Sequence, residues 1–361
     1  MSNNPIKLNN MQELAAYQRY LREHPKLRHL FFELTDQCNL HCLHCGSSCE
    51  SANSTFLPCA EIEKVLSEVS AAYTPGEIMV CLTGGEPLLH PDLYRVIHTA
   101  RFLGFPVGIT TNGTLIDDAA AGKLAAAGLS TISVSIDGVG AVHDRLRQTA
   151  GSFDAAMRGV HALRRYGIEA QAMTVVHKGN LDHLNTLYDF LRADGFYSWR
   201  LTNVDPIGRA SQSSGLLLDA DGLKRLLDLI RQYRFDPENE MEVTYGCAHF
   251  LNLDYENEVR DFYFQCGAGT LVGNVMANGN IGACLDIERR PELVQGNIYR
   301  DSFTDVWKNR FRFFREDRTG KSEVCRECEH RTICMGDSAH TWDYDRQEPL
   351  YCVAKMLERS T

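Results

Sequence analysis

The stretch LRHLFFELTDQCNLHCLHCG, residues 27–46, places three cysteines directly after a short apolar run. The run LRHLFFEL has the apolar and aromatic content of a buried β-strand, and the polar segment after it is typical of a loop. Within that loop, Cys38, Cys42 and Cys45 are separated by three and then two residues. Thiolates spaced in this way on a loop can surround a metal centre, which a helix interior does not do easily.

The size and charge of the chain limit the classes of protein to which it can belong. It has 361 residues, 44% of them hydrophobic, and a formal net charge of -10 at pH 7. A chain of this size buries a large core and has room for one large domain and a smaller one. The negative charge has the wrong sign for nucleic-acid binding, which depends on concentrated lysine and arginine.

The sequence also predicts a compartment and, with it, a role for the cysteines. It contains no apolar run of about 18 residues and no signal peptide at its start, so we expect a cytoplasmic protein that does not bind a membrane. Cytosolic thiols are kept reduced. The 13 cysteines are therefore expected to be metal ligands rather than a disulfide framework.

Apolar runs with β-branched residues alternate with helix-period stretches from about residue 28 to residue 205. Such alternation predicts an α/β fold in which helices wrap a parallel sheet. Six units are fewer than the eight of a closed barrel, so we expect a partial (β/α)6 TIM-like barrel with ligands at the carboxyl ends of its strands. The predicted strands lie at roughly 29–35, 77–82, 106–111, 130–136, 169–176 and 198–203.

The pattern changes after a helical stretch near residues 217–233. From Cys247 to Cys352 the segments are short and glycine-rich, the cysteines are clustered, and we predict no further strand-helix alternation. We expect an N-terminal helical segment at 1–27, a barrel domain at 28–235 and a separate metal-binding domain at 246–361. The basic stretch from Lys308 to Arg318 is interpreted as an amphipathic helix with a solvated basic face.

The residues alone leave two interpretations of the first three cysteines. Three thiolates can bind three of the four irons of a 4Fe-4S cluster, which leaves one iron open to a small molecule. Alternatively, the cysteines hold a structural zinc ion, with His41, His44 or Cys49 as the fourth ligand.

The next predicted strand, IMVCLTGGEPLL at residues 78–89, favours the iron-sulfur interpretation. It ends in Gly84, Gly85 and Glu86, where a barrel would bind a ligand. Glycines let a ligand approach the backbone, and a carboxylate accepts hydrogen bonds from an ammonium group. Together with the cysteine spacing, this strand end resembles the radical S-adenosylmethionine (SAM) superfamily.

The resemblance implies an enzyme that cleaves SAM reductively. In that family SAM binds the open iron through its amino and carboxylate groups, and the 5'-deoxyadenosyl radical formed from it abstracts a substrate hydrogen. The residues implied to bind the SAM amino group are Gly84, Gly85 and Glu86. The residues implied to bind the iron-sulfur cluster are Cys38, Cys42 and Cys45.

Two further segments are similar to peptide- and protein-modifying members of the family. They are STISVSIDG at 130–138 and VHDRLRQTAGSFDAA at 142–156. The similarity implies that Ser135 contacts the SAM carboxylate or ribose and that Arg147 pairs with the carboxylate. Asn112, and Asn203 in the segment NVDPIGRA, would line the same rim, and His44 would lie near the adenine or pack beside it.

The C-terminal cysteines resemble the SPASM extension, which carries one or two auxiliary 4Fe-4S clusters. The resemblance implies one complete cluster held by Cys325, Cys328, Cys334 and Cys352. It implies a second cluster on Cys266 and Cys284, with Cys247 as its third ligand. A zinc ribbon on Cys325 and Cys328 is the alternative, against which the other cysteines of the region argue.

This chain departs from the family pattern at one ligand position. Where the pattern has a cysteine four residues after Cys334, the segment CMGDSAHTWD has Ser338. Three outcomes follow: an oxygen or His340 ligand, an open iron able to bind substrate, or no cluster. The preferred interpretation is a cluster held by three cysteines.

The remaining candidate residues are two carboxylates and three cysteines. Asp286 and Asp337 follow cluster cysteines and are candidate acid-base groups. Leu285 occupies the position where sulfatase-maturing relatives have an aspartate, which weakens that role. Cys81 is expected in the core, and Cys49 and Cys59 are expected to be ordinary thiols near loops.

The leading functional hypothesis is a maturase that modifies a residue of a ribosomally made peptide or small protein, with a reductant such as flavodoxin or ferredoxin. Only 37 residues precede Cys38, too few for the winged-helix domain that binds leader peptides in many relatives. We therefore expect leader recognition by another surface or a partner protein. The alternatives are an enzyme acting on a small molecule or tetrapyrrole, and a non-catalytic electron-transfer or structural metal-binding protein.

Overall fold

A computed structural model describes residues 5–212, 215–246 and 249–358. Within these ranges one large sheet is surrounded by helices and followed by an irregular C-terminal region. The helices are α1 (Pro5–Glu23), α2 (Cys59–Ala72), α3 (Leu93–Phe102), α4 (Asp118–Ala127), α5 (Ala141–Arg147), α6 (Ser152–Arg165), α7 (Leu184–Asp194), α8 (Ala220–Phe235), α9 (Asn252–Tyr255), α10 (Phe303–Asn309), α11 (Arg312–Arg315), α12 (Glu323–Arg326), α13 (Arg331–Cys334) and α14 (Val353–Glu358).

The strands confirm the predicted parallel sheet. The six predicted strands are β1 (His29–Glu33), β2 (Met79–Thr83), β3 (Val107–Thr111), β4 (Thr131–Ser135), β5 (Ala170–Val176) and β6 (Ser198–Asn203). Each pairs in parallel with the next, and a helix follows each of the first five before the chain enters the following strand. The sheet is open, as expected of a partial barrel.

The sheet continues beyond the six predicted strands into the C-terminal region, for which the sequence predicted short segments without further strand-helix alternation. Its further strands are β7 (Glu242–Tyr245), β8 (Val272–Val275), β9 (Asn280–Gly282) and β10 (Gly296–Asn297), and a separate hairpin joins β11 (Trp342–Asp343) to β12 (Glu348–Pro349). Strand β7 pairs in parallel with β6, and β8 pairs in parallel with β1. Strands of only two to four residues carry too little periodicity to be recognised in a sequence.

The packing of the sheet follows the alternation of its side chains. In β5, Ala170, Ala172 and Val176 are buried, whereas Gln171 and Met173 are only partly buried and point to the opposite face. The buried set packs against helices such as α6, which buries residues at helical spacing on one side. The other face of the sheet encloses a cavity of about 800 Å³.

Helix α1 packs on the cysteine-rich C-terminal region. Its Met11 and Ala15 are buried against Phe250, Phe264 and other residues of that region. The predicted N-terminal helix is therefore confirmed, and its role in packing is now visible. No helix in the described ranges has the length and apolar character needed to cross a membrane.

The basic segment from Lys308 to Arg318 is not the single solvated helix that its sequence suggested. Two short helices, α10 and α11, occupy it instead. The guanidinium of Arg315 lies 5.2 Å from the centre of the Trp307 ring and donates to the carbonyl of Gly269 at 2.8 Å. Because Phe311 is fully buried, part of this segment belongs to the core, and the arginine stem covers it.

Two phenylalanines of this segment provide a test. Replacing Phe311, which is fully buried, with Ala should lower the free energy of unfolding by about 3–5 kcal/mol because it leaves a cavity beside Trp307. Phe313→Ala removes the same side chain where 45% of it is exposed and should cost much less. Thermal unfolding of both variants measures the difference. Equal losses would contradict the assignment of Phe311 to the core.

Candidate active site

The three N-terminal cysteines lie together on the loop that follows β1. Cys38, Cys42 and Cys45 pack with Leu40 and Cys49 in one cluster of buried and partly buried side chains. Burial raises the pKa of the Cys38 thiol to about 11. A thiol in such a place is more stable as a metal-bound thiolate than as a free one. Cys49 is thus part of the cysteine site, where the sequence offered it either as a fourth zinc ligand or as an ordinary thiol.

Gly84 and Gly85 are required by the backbone of the cysteine loop. A Cβ on Gly84 would lie 2.4 Å from the carbonyl oxygen of Thr35, and one on Gly85 would lie 2.0 Å from that of Gln37. The close approach lets the amides of Gly85 and Glu86 donate to these two carbonyls, at 2.7 and 2.9 Å. The two glycines therefore dock the cysteine loop on the end of β2, a reason that the sequence alone did not supply.

Glu86 is fully buried, and its carboxylate is bonded within the protein. It accepts from Thr111 Oγ1 at 2.7 Å, from the amide of Asn112 at 2.9 Å and from the amide of Leu88 at 3.1 Å. These bonds use three of about four acceptor positions of a carboxylate. Its carboxylate thus joins the ends of β2 and β3, because buried donors there need a partner, and its implied contact with the SAM amino group stays a prediction.

Asn112 is similarly engaged: its Nδ2 donates to Asn39 Oδ1 at 2.9 Å, and its Oδ1 accepts from the amide of Thr114 at 2.9 Å. It therefore links the end of β3 to the cysteine loop. Ser135, the last residue of β4, is partly buried.

Arg147 forms a buried ion pair beside the cysteine loop. Its Nε donates to Asp137 Oδ2 at 2.6 Å, and its NH1 lies 3.6 Å from Cys42 Sγ. Burial alone would raise the pKa of the Asp137 carboxyl, but Arg147 and His143 lower it to about 2. The guanidinium thus places a positive charge beside Cys42, and its pairing with the SAM carboxylate stays a prediction.

The segment after β6 fastens the far side of the cysteine loop. Gly208, at φ +52°, lies so close to the loop that a Cβ would be 2.3 Å from the Cys45 carbonyl oxygen. Arg209 donates from Nε to the Cys42 carbonyl at 2.7 Å and from NH1 to the Cys49 carbonyl at 3.0 Å. One arginine side chain thus satisfies two carbonyl groups of a loop that has no regular structure.

The cavity inside the sheet extends from the cysteine loop to the C-terminal cysteines. His44, Asn203 and Asp286 line it, as do Cys266 and Cys284.

Cys81 also lines the cavity and is partly exposed, so its assignment to the core was wrong. It occupies the face of β2 opposite to the one that packs against helices. Cys59, by contrast, is buried at the start of α2.

The C-terminal cysteines form two groups. In the first, burial raises the pKa of the Cys284 thiol, and the nearby charges of Asp286 and Cys266 raise it further. In the second, burial raises the pKa of Cys325, Cys352 and Cys334. The charge of Cys328 adds to this effect at Cys325 and Cys352, and the charge of Cys352 adds to it at Cys334. The proposed third ligand of the first group, Cys247, lies outside the described residues.

Asp337 does not reach the cavity, which corrects its expected role as an acid-base group in contact with substrate. It is 3% exposed and accepts from the amide of Phe250 at 2.9 Å, and its Oδ2 lies 3.2 Å from His249 Nδ1. His249 Nε2 lies 3.0 Å from Asp205 Oδ1, and His340 Nε2 lies 2.9 Å from Asp205 Oδ2.

This buried chain of two carboxylates and two imidazoles ends in the cavity at His340. Burial alone would raise the pKa of the Asp205 carboxyl, but the imidazoles of His249 and His340 hold it well below its ordinary value. Sequence reasoning missed Asp205 and His249 and named His340 only as a possible cluster ligand, because three distant segments contribute these side chains. The only signal was the polar cluster in NVDPIGRA.

The spacing of the sulfur atoms tests the zinc interpretation. Zinc held by cysteines at about 2.3 Å brings its ligand atoms to about 3.8 Å from one another. In the described ranges, no group of three potential ligand atoms within 4.8 Å of one another includes a cysteine. The wider spacing fits an iron-sulfur cluster, in which each cysteine binds a different iron.

Family models match two parts of the chain. Residues 32–191 match the model described as the radical SAM superfamily, and residues 266–329 match the SPASM model, described as an iron-sulfur cluster-binding domain. The first match contains the cysteine loop, and the second contains Cys266, Cys284, Cys325 and Cys328.

Relatives cover most of the chain. It is 30% identical over 348 residues to the AdoMet-dependent heme synthase of Methanosarcina barkeri, covering 90% of this chain and 96% of that protein. It is 30% identical over 315 residues to the mycofactocin maturase MftC of Mycobacterium tuberculosis, covering 85% and 77%. The crystal structure of Streptococcus suis SuiB bound to S-adenosylmethionine shares the fold, with a TM-score of 0.76 and 19% identity over 98% of this chain and 84% of that one.

The buried pair of Asp137 and Arg147 should contribute strongly to stability. Asp137→Asn leaves the guanidinium unpaired and should lower the free energy of unfolding by about 3–5 kcal/mol. Because the pKa of Asp137 is depressed to about 2, the contribution is present above the ordinary aspartate pKa of 3.8 and is lost only as pH falls towards 2. Thermal unfolding should show the same loss at pH 6 and pH 8.

The matched control is Asp182→Asn, which breaks an exposed ion pair with Arg225. We expect no measurable change in stability from it. A loss for Asp137→Asn as small as that of the control would contradict the analysis of the buried pair.

Arg209 should control the order of the cysteine loop. Arg209→Met keeps the length of the side chain but removes the donors to the Cys42 and Cys49 carbonyls. Loss of about 2 kcal/mol of hydrogen bonding to a charged group should speed amide hydrogen exchange in residues 42–49 by about 30-fold. Arg225→Met, at an exposed arginine, should leave that exchange rate unchanged. Unchanged exchange in both variants would show that Arg209 does not hold the loop.

Proposed function

Because this chain belongs to the radical SAM superfamily and carries a SPASM iron-sulfur cluster-binding domain, we propose that it abstracts hydrogen from a residue of a ribosomally made peptide or small protein. The radical SAM domain binds a 4Fe-4S cluster and SAM, and the SPASM domain binds auxiliary iron-sulfur clusters. When bound, the reduced cluster supplies the electron that cleaves SAM to the 5'-deoxyadenosyl radical.

We assign the SAM-binding cluster to Cys38, Cys42 and Cys45. These cysteines lie on a loop whose backbone is docked on the end of β2 and accepts a hydrogen bond from Arg209. The three buried or partly buried sulfur atoms are therefore held in fixed positions. Arg147 places a cation beside Cys42 and thereby offsets part of the negative charge of the thiolates.

We assign the SAM-binding surface to the strand ends next to this loop. Gly84, Gly85 and Ser135 are partly exposed at the ends of β2 and β4, which lie close together in the order of the sheet, and Asn203 lines the cavity. Glu86, Asn112 and Arg147 also support this surface, because each is bonded to neighbouring parts of the protein. We assign them a positioning role beside the SAM contacts that the family resemblance implies.

The single observation that carries the proposal is the cavity with cysteines at two sides. It runs from His44 and Gly46 on the cysteine loop to Cys266 and Cys284. A substrate held there would be close to the site of radical formation and close to an auxiliary cluster that could accept an electron from it. Asp286 is the carboxylate that lines this cavity and remains our candidate acid-base group.

The charges of the cavity favour a peptide over a polyanionic substrate. Its formally charged lining residues are Arg200, Arg260, Asp205 and Asp286, and Arg260 forms a buried ion pair with Glu256. This balanced lining suits a largely neutral peptide segment. A tetrapyrrole with several carboxylates would require more positive charge to replace the water it loses.

A tetrapyrrole substrate is the second candidate, and the similarity to a haem synthase over 90% of this chain favours it. For either substrate we propose that residues 28–235 form the catalytic domain and residues 246–361 the auxiliary cluster domain. A flavodoxin or ferredoxin would supply the electron.

The first cluster can be tested directly. Replacing Cys38, Cys42 and Cys45 with Ala should abolish formation of 5'-deoxyadenosine from SAM under dithionite and remove about four iron atoms per chain. The auxiliary iron should remain. Cys59→Ala, a buried thiol outside the site, should keep both. Retained SAM cleavage in the triple variant would overturn the assignment.

The substrate proposal needs a separate comparison with the reduced holoenzyme. Short peptides encoded beside the gene, and Fe-coproporphyrin III as the tetrapyrrole, are each incubated with SAM and followed by mass spectrometry. We expect a SAM-dependent change in the mass of a peptide and none in the porphyrin. Conversion of the porphyrin alone would replace the peptide proposal by the tetrapyrrole one.

A further inference from the structure

Ser338 carries a buried hydroxyl without a hydrogen-bond partner among the residues that the structure describes. The residue is 1% exposed, and its Oγ neither donates nor accepts a hydrogen bond. Buried hydroxyls in folded proteins are almost always paired, because an unpaired one loses its bonds to water without replacement. The position therefore indicates a partner that is neither a side chain nor a backbone group of this region.

The surroundings of Ser338 indicate what that partner is. The amide of the next residue, Ala339, donates to Cys266 Sγ at 3.4 Å. Cys266 and Cys284 both line the cavity. The unpaired hydroxyl thus lies on a segment that is in direct contact with the first group of C-terminal cysteines.

His340 and Asp337, two other potential ligands near this group, are already engaged. His340 Nε2 is bonded to Asp205, and both oxygens of Asp337 have partners at Phe250 and His249. Asp286 Oδ1 faces the opposite loop, where it lies 3.8 Å from the position of a Cβ on Gly46.

We propose that Ser338 Oγ is a protein ligand to an iron of the auxiliary cluster that Cys266 and Cys284 hold. The inference rests on the proposed assignment of these two cysteines to a cluster. The O–H bond is exchanged for an O–Fe bond, the proton leaves to solvent as it does from a cysteine ligand, and the oxidation state of the iron is unchanged.

The experiment compares the variants Ser338→Cys, Ser338→Ala and Thr341→Val in the reconstituted full chain. Iron and sulfide are counted, and the reduced auxiliary clusters are observed by electron paramagnetic resonance. Thr341 is a matched control, because its Oγ1 is also buried and unpaired and lies three residues away.

Ser338→Cys should keep the iron content and change the resonance signal, because sulfur replaces oxygen on one iron. Ser338→Ala should lose at least about one iron atom per chain from this cluster. Thr341→Val should match the wild type in both measurements. Wild-type iron content and an unchanged signal in both Ser338 variants would overturn the inference.

Cys266→Ala distinguishes this failure from a failure of the underlying assignment. If Cys266 and Cys284 hold a cluster, Cys266→Ala loses about four iron atoms, whatever the Ser338 variants do. If Cys266→Ala retains all of the iron, the assignment of the cluster itself is wrong, and the inference fails with it. In both cases the Cys38 site is monitored separately by the formation of 5'-deoxyadenosine.

Discussion

The structure depends on the close docking of the cysteine loop against the end of β2. Because Gly84 and Gly85 have no side chain, the end of β2 can approach the loop closely and form amide-to-carbonyl hydrogen bonds of 2.7 and 2.9 Å to the part before its first cysteine. A loop that is to hold a cluster needs fixed sulfur positions but has no helix or strand of its own to supply them. Its order therefore comes from its neighbours: the end of β2 on one side and Arg209 on the other.

Buried carboxylates at the ends of parallel strands extend the same principle around the barrel. Glu33 at the end of β1 accepts from the amide of Ala277, Glu86 after β2 from Asn112, and Asp137 after β4 from Val175. Each carboxylate satisfies a donor on a neighbouring strand or the loop that follows it. Burying these charges is costly unless they are fully bonded, so they are matched by donors and, for Asp137, by Arg147.

The C-terminal region carries cysteines and also adds strands to the open sheet of the barrel domain. Strand β8 pairs with β1 along His29–Phe32, and Arg289 binds the buried carboxylate of Glu33. Because the two regions share one sheet, Cys266 and Cys284 are held opposite the loop that contains Cys45. The rigid connection explains how one cavity can contact both kinds of cysteine site without a flexible linker between them.

The sequence by itself was enough for the central architecture and for the location of the first cysteine site. Periodicity located β1 to β6, since each has five or more residues and a clear helical pattern after it. Spacing grouped Cys38 with Cys42 and Cys45, because ligands on one loop remain neighbours in any fold.

Contacts between distant segments could be decided only by the tertiary structure. The partners of Glu86 and Arg147, the place of Asp337 behind His249, and the chain from Asp205 to His340 each join residues far apart in sequence. Whether a polar side chain faces a ligand or a buried partner depends on the packing of those segments, and local sequence carries no signal of it.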